Sequence, residues 1–215
     1  EGEGEGEAPP PGGPVELDGV FNARQTGGLA TQDGRRVRAG VLLRSGHLAG
    51  LSEAGCQQLR ALGVASVVDL RAAAEADSQP DVACVREETR YLLGDLPKIL
   101  PPSAESYLRT LDAAEPRLAA LFGHLAEDGA LPALIHCVIG RDRANLITAL
   151  VLSALGVSRE AILEDFVSNQ DTPVQAEWLA AALDRVAAAG GAEAYLQAHG
   201  VTAAQLERLR SQALE

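Results

Sequence analysis

The chain has 215 residues, 47% of them hydrophobic, which suits a single domain with a sizeable core. A formal net charge of −12 argues against a general nucleic-acid or anionic-membrane surface, so attraction for phosphate has to be confined to a local basic pocket. Cys56, Cys84 and Cys137 form no C-x-x-C pair, and their odd number argues against a disulfide framework.

His47, His124, His136 and His199 show no metal-ligand spacing, so neither a metal nor another cofactor is expected. No N-terminal segment reads as a signal peptide, and no apolar run approaches the roughly 18 residues of a membrane span. The default expectation is a cytoplasmic protein without integral membrane contact, with export lacking a visible signal left open.

Residues 1–14, repeated Glu-Gly followed by Pro and Gly, read as a disordered tail or an appended remnant. One domain is expected over 15–215. A short strand is predicted at 41–44, then a helix capped by Ser52 and ending before Gly63. Residues 65–70 form a β-branched-rich strand whose pattern suits a parallel sheet. A short helix or loop over 72–77 and a strand around 85–92 follow. The Pro/Gly-rich stretch 93–102 is a loop able to border a site.

Residues 103–128 are helical with a break near Pro116, and 132–136 is a strand. Helices then run over about 143–155, 159–168, 174–189, 192–198 and 202–213, punctuated by Gly156, Gly190 and Gly200. This order predicts an α/β fold: a central, mostly parallel sheet flanked by helices, with a helical C-terminal half. Ligands in such sheets sit beyond the carboxyl ends of strands, where Asp69, Arg71 and Cys137 fall.

The chemistry concentrates in His136-Cys137-Val138-Ile139-Gly140-Arg141-Asp142-Arg143. A strand precedes it and an apolar helix follows. A loop curling into a helix N-terminus turns several N–H groups inward to form an anion nest. Gly140 permits the turn, and Arg143 can fold back to grip two phosphate oxygens with its planar fork. A thiol in such an electropositive bowl is set up as a nucleophile. His136 is either an orienting partner of the thiolate or a satisfied strand-end histidine.

The stretch resembles the H-C-x-x-G-x-x-R signature of the protein tyrosine phosphatase superfamily, and specifically its bacterial tyrosine/serine branch of atypical dual-specificity and lipid phosphatases. Four more stretches agree, in family order: Asn22 to Gly28, Leu43-Arg44-Ser45-Gly46-His47-Leu48, Val67-Val68-Asp69-Leu70-Arg71 and Asp165-Phe166-Val167-Ser168-Asn169. The departures are Ala144 for the usual Thr or Ser, Arg141 for Lys, Asn145 for Gly, and Ala23, Gln25 and Thr26 in the first motif.

The resemblance implies a phosphotyrosine phosphatase-like fold and a metal-free phosphomonoesterase. Cys137 would be the nucleophile, Val138 to Arg143 would bind phosphate and Asp142 would be the general acid, with His136 and Asp69 in support. Asp95 and Asp69 are alternative acids. The implied partner is a phosphorylated protein or a phosphoinositide, with Arg141 placed to meet a second anionic group. Two rivals remain: a slow or inactive phosphate-binding pseudophosphatase, motivated by Ala144, and a sulfur or arsenate handler of rhodanese type.

Overall fold

The computed structural model describes residues 12–168 and 172–215; Asn169 and residues 1–11 of the expected tail lie outside the described residues. Strands β1 (Arg24–Gln25), β2 (Leu42–Ser45), β3 (Ser66–Asp69), β4 (Arg90–Leu93) and β5 (Ala133–His136) make one sheet in the order β1-β2-β5-β3-β4. Only the β1–β2 pair is antiparallel.

The helices are α1 (Glu53–Ala61), α2 (Ala73–Ser78), α3 (Ala83–Glu88), α4 (Ala104–Ala114), α5 (Leu118–Leu125), α6 (Asp142–Ala154), α7 (Arg159–Ser168), α8 (Ala176–Ala188), α9 (Ala192–Ala198) and α10 (Ala203–Ala213). The α/β expectation holds, including the helical C-terminal half. Among the described residues no helix is long and apolar enough to cross a membrane.

Alternation along the strands feeds two cores. Leu43, Val67 and Leu134 face a smaller one with Leu48, Leu51, Leu59 and Val85. Leu42, Val68 and Ile135 face a larger one built from α4 to α10. Helix α6 is buried along nearly its whole length, which explains why its sequence is apolar on every side rather than amphipathic. Ser52 caps α1 by accepting from Gly55 N. The expected break near Pro116 is a 3₁₀ turn, Glu115–Arg117, between α4 and α5.

Two expectations need correction. The strand read around 85–92 is half helix: α3 runs to Glu88 and β4 begins at Arg90. Val82 and Val85, three apart, turn toward the smaller core as a helix turns them, and strand geometry applies only beyond Thr89. The cysteines do pair: Cys56 of α1 and Cys84 of α3 form a disulfide, their Cα atoms 6.2 Å apart, while Cys137 stays free. Both helices lie on the same face of the sheet, a proximity hidden by 28 residues of separation. The odd count reflects the free thiol.

Candidate active site

The loop 137–141 runs from the end of β5 into α6. Its carbonyl oxygens are held from outside. His47 N donates to Val138 O at 3.1 Å, Asn22 Nδ2 to Ile139 O at 3.2 Å, and Arg44 Nη1 to Gly140 O at 3.3 Å. In a trans peptide the N–H points opposite to the C=O. Three outward carbonyls therefore leave the N–H groups of Ile139, Gly140 and Arg141 facing the bowl, at the positive end of α6.

Gly140 has φ +70°, and a Cβ there would stand 2.4 Å from Ser45 C. Across the same contact Cys137 N donates to Ser45 O at 3.4 Å. The glycine is needed both for its conformation and for the close approach of β2.

Cys137, Asp142 and Arg143 line one cleft together with Glu75, Lys98, Ile99, Leu100, Val138, Ile139 and Arg141. Thus the 93–102 stretch does border the site. Arg143 is 5% exposed. Its guanidinium donates to Glu75 Oε2 at 2.6 Å and Oε1 at 3.3 Å and to Leu96 O at 3.1 Å. Burial alone raises the Glu75 carboxyl, but Arg143 and the Ala72 N–H outweigh it and hold it below the ordinary glutamate value.

Asp142 Oδ1 accepts from Tyr107 Oη at 2.8 Å, and its carboxylate takes Arg141 Nε and Nη2 at 3.0 Å each. Burial, then Asp142, push the Tyr107 hydroxyl up, so Tyr107 remains a donor to that carboxylate. Arg141 also reaches Thr172 Oγ1 at 3.1 Å.

The profile of the tyrosine phosphatase family matches residues 15–215. The chain belongs to the tyrosine phosphatase family. It is similar to a tyrosine-protein phosphatase of Cupriavidus necator, 32% identical over 206 residues, covering 84% of this chain and 71% of that one. It is similar also to the triple specificity protein phosphatase PtpB of Mycobacterium tuberculosis, 28% identical over 200 residues, covering 74% of this chain and 70% of that one. The chain is accordingly a phosphatase, a phosphoric monoester hydrolase.

The phosphatase carries a buried ionic cluster behind its loop. Asp69 takes Arg71 Nη2 at 2.6 Å and Tyr91 Oη at 2.6 Å. Arg71 Nη2 also stands 2.9 Å from Asp81 Oδ2. His136 Nε2 lies 3.1 Å from Asp81 and 3.7 Å from Asp69, while its Nδ1 is 3.3 Å from Cys137 O. Burial raises Asp69, but Arg71, His136 and Tyr91 together hold it below the ordinary carboxylate value. Asp69, Asp81 and His136 have the closeness of a metal site, yet the Arg71 guanidinium already bridges the two carboxylates.

Each motif finds its place around the phosphatase loop. Arg71, expected at a strand end beside the site, is held behind the loop by Asp69, Asp81 and Gln79 O and is not among the residues that line the cleft. In the degenerate first motif, Asn22 holds the loop and Arg24 Nε steadies it at 3.0 Å, while Gln25 Oε1 accepts from Gly40 N and Thr26 Oγ1 donates to Leu42 O. Arg44 is fully buried and stands 4.0 Å from Asp165, which ties the fifth motif to the loop through the second.

The acid alternative Asp95 instead accepts from Ala73 N and Arg117. Sequence reasoning missed Glu75 and Asp81. Glu75 was visible only as an acid in the first turn of the short helix α2. Asp81, between Pro80 and α3, gave no periodic signal.

Proposed function

We propose that the chain hydrolyses phosphomonoesters through a phosphocysteine, as one domain over 15–215. The observation that carries this is the meeting of Cys137, Asp142 and Arg143 in one cleft, above a loop whose carbonyls are turned away. The substrate phosphoryl group sits in the nest with two oxygens on Arg143. The Cys137 thiolate attacks phosphorus in line, and an S–P bond forms as the P–O bond to the leaving group breaks. Asp142, aligned by Tyr107 and Arg141, gives the leaving oxygen its proton. Water then attacks phosphorus as it gives a proton back to the Asp142 carboxylate, the S–P bond breaks, and inorganic phosphate and the thiolate are released. His136 fixes the peptide that carries the nucleophile.

Ile99, Leu100 and Ile139 make the cleft wall apolar and favour an aryl group, so phosphotyrosine is the first candidate substrate. Lys98 and Arg141 give that mouth two cations beyond Arg143, which suits a second anionic group on a phosphopeptide or a phosphoinositide. The triple specificity named for the mycobacterial relative is in keeping with a range that also takes in phosphoserine and phosphothreonine.

The test is hydrolysis of p-nitrophenyl and phenyl phosphate by wild type, Cys137→Ser and Asp142→Asn. Cys137→Ser is expected to abolish turnover while still binding phosphate. Asp142→Asn is expected to lose far more activity on phenyl phosphate, whose poor leaving group needs the proton. Equal rates for wild type and Cys137→Ser would sink the mechanism.

A further inference from the structure

Residues 72–89 support the phosphate loop from outside the sheet. From α2, Glu75 gives both carboxylate oxygens to Arg143. Just before α3, Asp81 accepts from Leu48 N at 2.9 Å, meets Arg71 at 2.9 Å and lies 3.1 Å from His136. Yet the segment has little apolar hold of its own. Helix α2 buries no residue, and α3 buries only Val85. Its covalent hold is Cys84 of α3, bonded to Cys56 of α1, a longer helix anchored by buried Cys56 and Leu59.

We propose that the Cys56–Cys84 bond is a redox latch on the phosphatase. Oxidised, it keeps residues 72–89 against α1, so that Glu75 and Asp81 stand in place at Arg143 and His136. Reduced, the segment loosens and both loop groups lose their outer partners. The proposal rests on the Cys137 phosphatase reading.

Closing the latch takes two protons and two electrons from the two thiols. A disulfide oxidant, either glutathione disulfide or a thiol–disulfide oxidoreductase, accepts them, and its own S–S bond becomes two thiols. Cys84 is partly exposed and open to exchange, and Cys137, which lines the cleft, is the one remaining cysteine of the chain. A closed latch belongs to an oxidising compartment.

The first arm of the test counts thiols in the full chain, denatured and alkylated, by mass. After equilibration with glutathione disulfide one alkylated cysteine is expected, and after reduction three. Three before reduction overturns the latch.

The second arm measures kcat and KM on p-nitrophenyl phosphate, well below the melting temperature of every variant. Reduced wild type and the C56S/C84S double variant are expected to share a several-fold lower kcat/KM, carried mainly by a higher KM. C56S/C84S is expected to ignore the reductant, which separates the latch from any oxidation of Cys137. In E75Q, reduction is expected to cost less than in wild type, because one of the two contacts the latch serves is already gone.

An equal fold-loss in E75Q and wild type would reduce the disulfide to a plain staple, and full activity of C56S/C84S would remove its role altogether. Activity surviving in Cys137→Ser overturns the phosphatase reading instead. A dead Cys137→Ser beside a redox-indifferent wild type overturns the latch alone.

Discussion

On one flank of the loop, residues 22–47 hold it by its carbonyl oxygens. On the other, residues 69–96 hold it through charged side chains. The first flank is mostly neutral: Ser45, Gly46 and His47 fit backbone against backbone and Asn22 donates its side-chain amide, with Arg44 the one buried charge. The second is ionic: Asp69, Arg71, Glu75 and Asp81 position Arg143 and His136. Backbone contacts set the shape of the bowl, while the ionic cluster aims the groups that project from it. The two kinds of support should fail differently when broken.

The largest kinetic effect is expected from Arg143→Lys, on the ionic flank. The lysine keeps the charge but loses the fork that meets two phosphate oxygens while facing Glu75. Loss of an oriented oxyanion donor costs about 10²–10³ in rate. The expected result is a kcat/KM on p-nitrophenyl phosphate lower by roughly that factor, with a melting temperature close to wild type. A stability loss as large as the kinetic one would mean that this flank builds the loop rather than aiming it.

The shape flank is broken by Gly140→Ala. A methyl group 2.4 Å from Ser45 C and 2.6 Å from Gly46 N has only backbone to displace, and the residue must also keep φ +70°. Such strain costs about 1–3 kcal/mol, and the carbonyl contacts to β2 are pushed apart as well. Both the melting temperature and phosphate affinity should fall, read by thermal denaturation with and without inorganic phosphate. Retained phosphate stabilisation would show that the bowl does not depend on that close approach.

Much of the shape flank was legible in the sequence, and much of the ionic flank was not. Gly140, Arg44 and Asn22 sit in contiguous stretches, where a glycine or a motif marks a local backbone requirement. The partners of Arg143 and His136 come from Glu75 and Asp81, 68 and 55 residues upstream, and meet them only because β3 lies beside β5 in the sheet. The same reason hid the Cys56–Cys84 bond. Parallel neighbours are brought together by crossovers, so local patterns foretold the strands but not which side chains would meet across them. Strand β4 was misplaced at its start because Val82 and Val85 carry an apolar signal too short to tell helix from strand.

Glu75→Gln sharpens the comparison by pH. A charge-assisted hydrogen bond contributes about 1.5–3 kcal/mol, so a drop in kcat/KM of about ten- to hundredfold, mainly through KM, is expected. The folded-state value of Glu75 is lowered, so its stabilising contribution is fully present above the ordinary glutamate value of about 4.3. That contribution is lost as pH falls through the lowered value. Melting curves of wild type and variant should therefore separate near neutral pH and converge in acid. Parallel curves would show that Glu75 holds Arg143 by geometry and not by charge.

The smallest effect is expected at Ala144, where the family's usual hydroxyl is missing. Ala144 is fully buried in the first turn of α6, next to Arg143 and one turn before the buried Thr148. A Thr there adds volume to a packed site, which costs about 1–3 kcal/mol, but it also supplies a donor near the departing thiolate. If hydrolysis of the phosphocysteine limits turnover, Ala144→Thr should raise kcat a few-fold and shrink any burst of p-nitrophenol, while leaving phosphate affinity unchanged. An unaltered burst with lower stability would show that the thiolate is already served by the loop amides and His136. The two flanks would then suffice without the hydroxyl, and the departure at 144 would be a packing change.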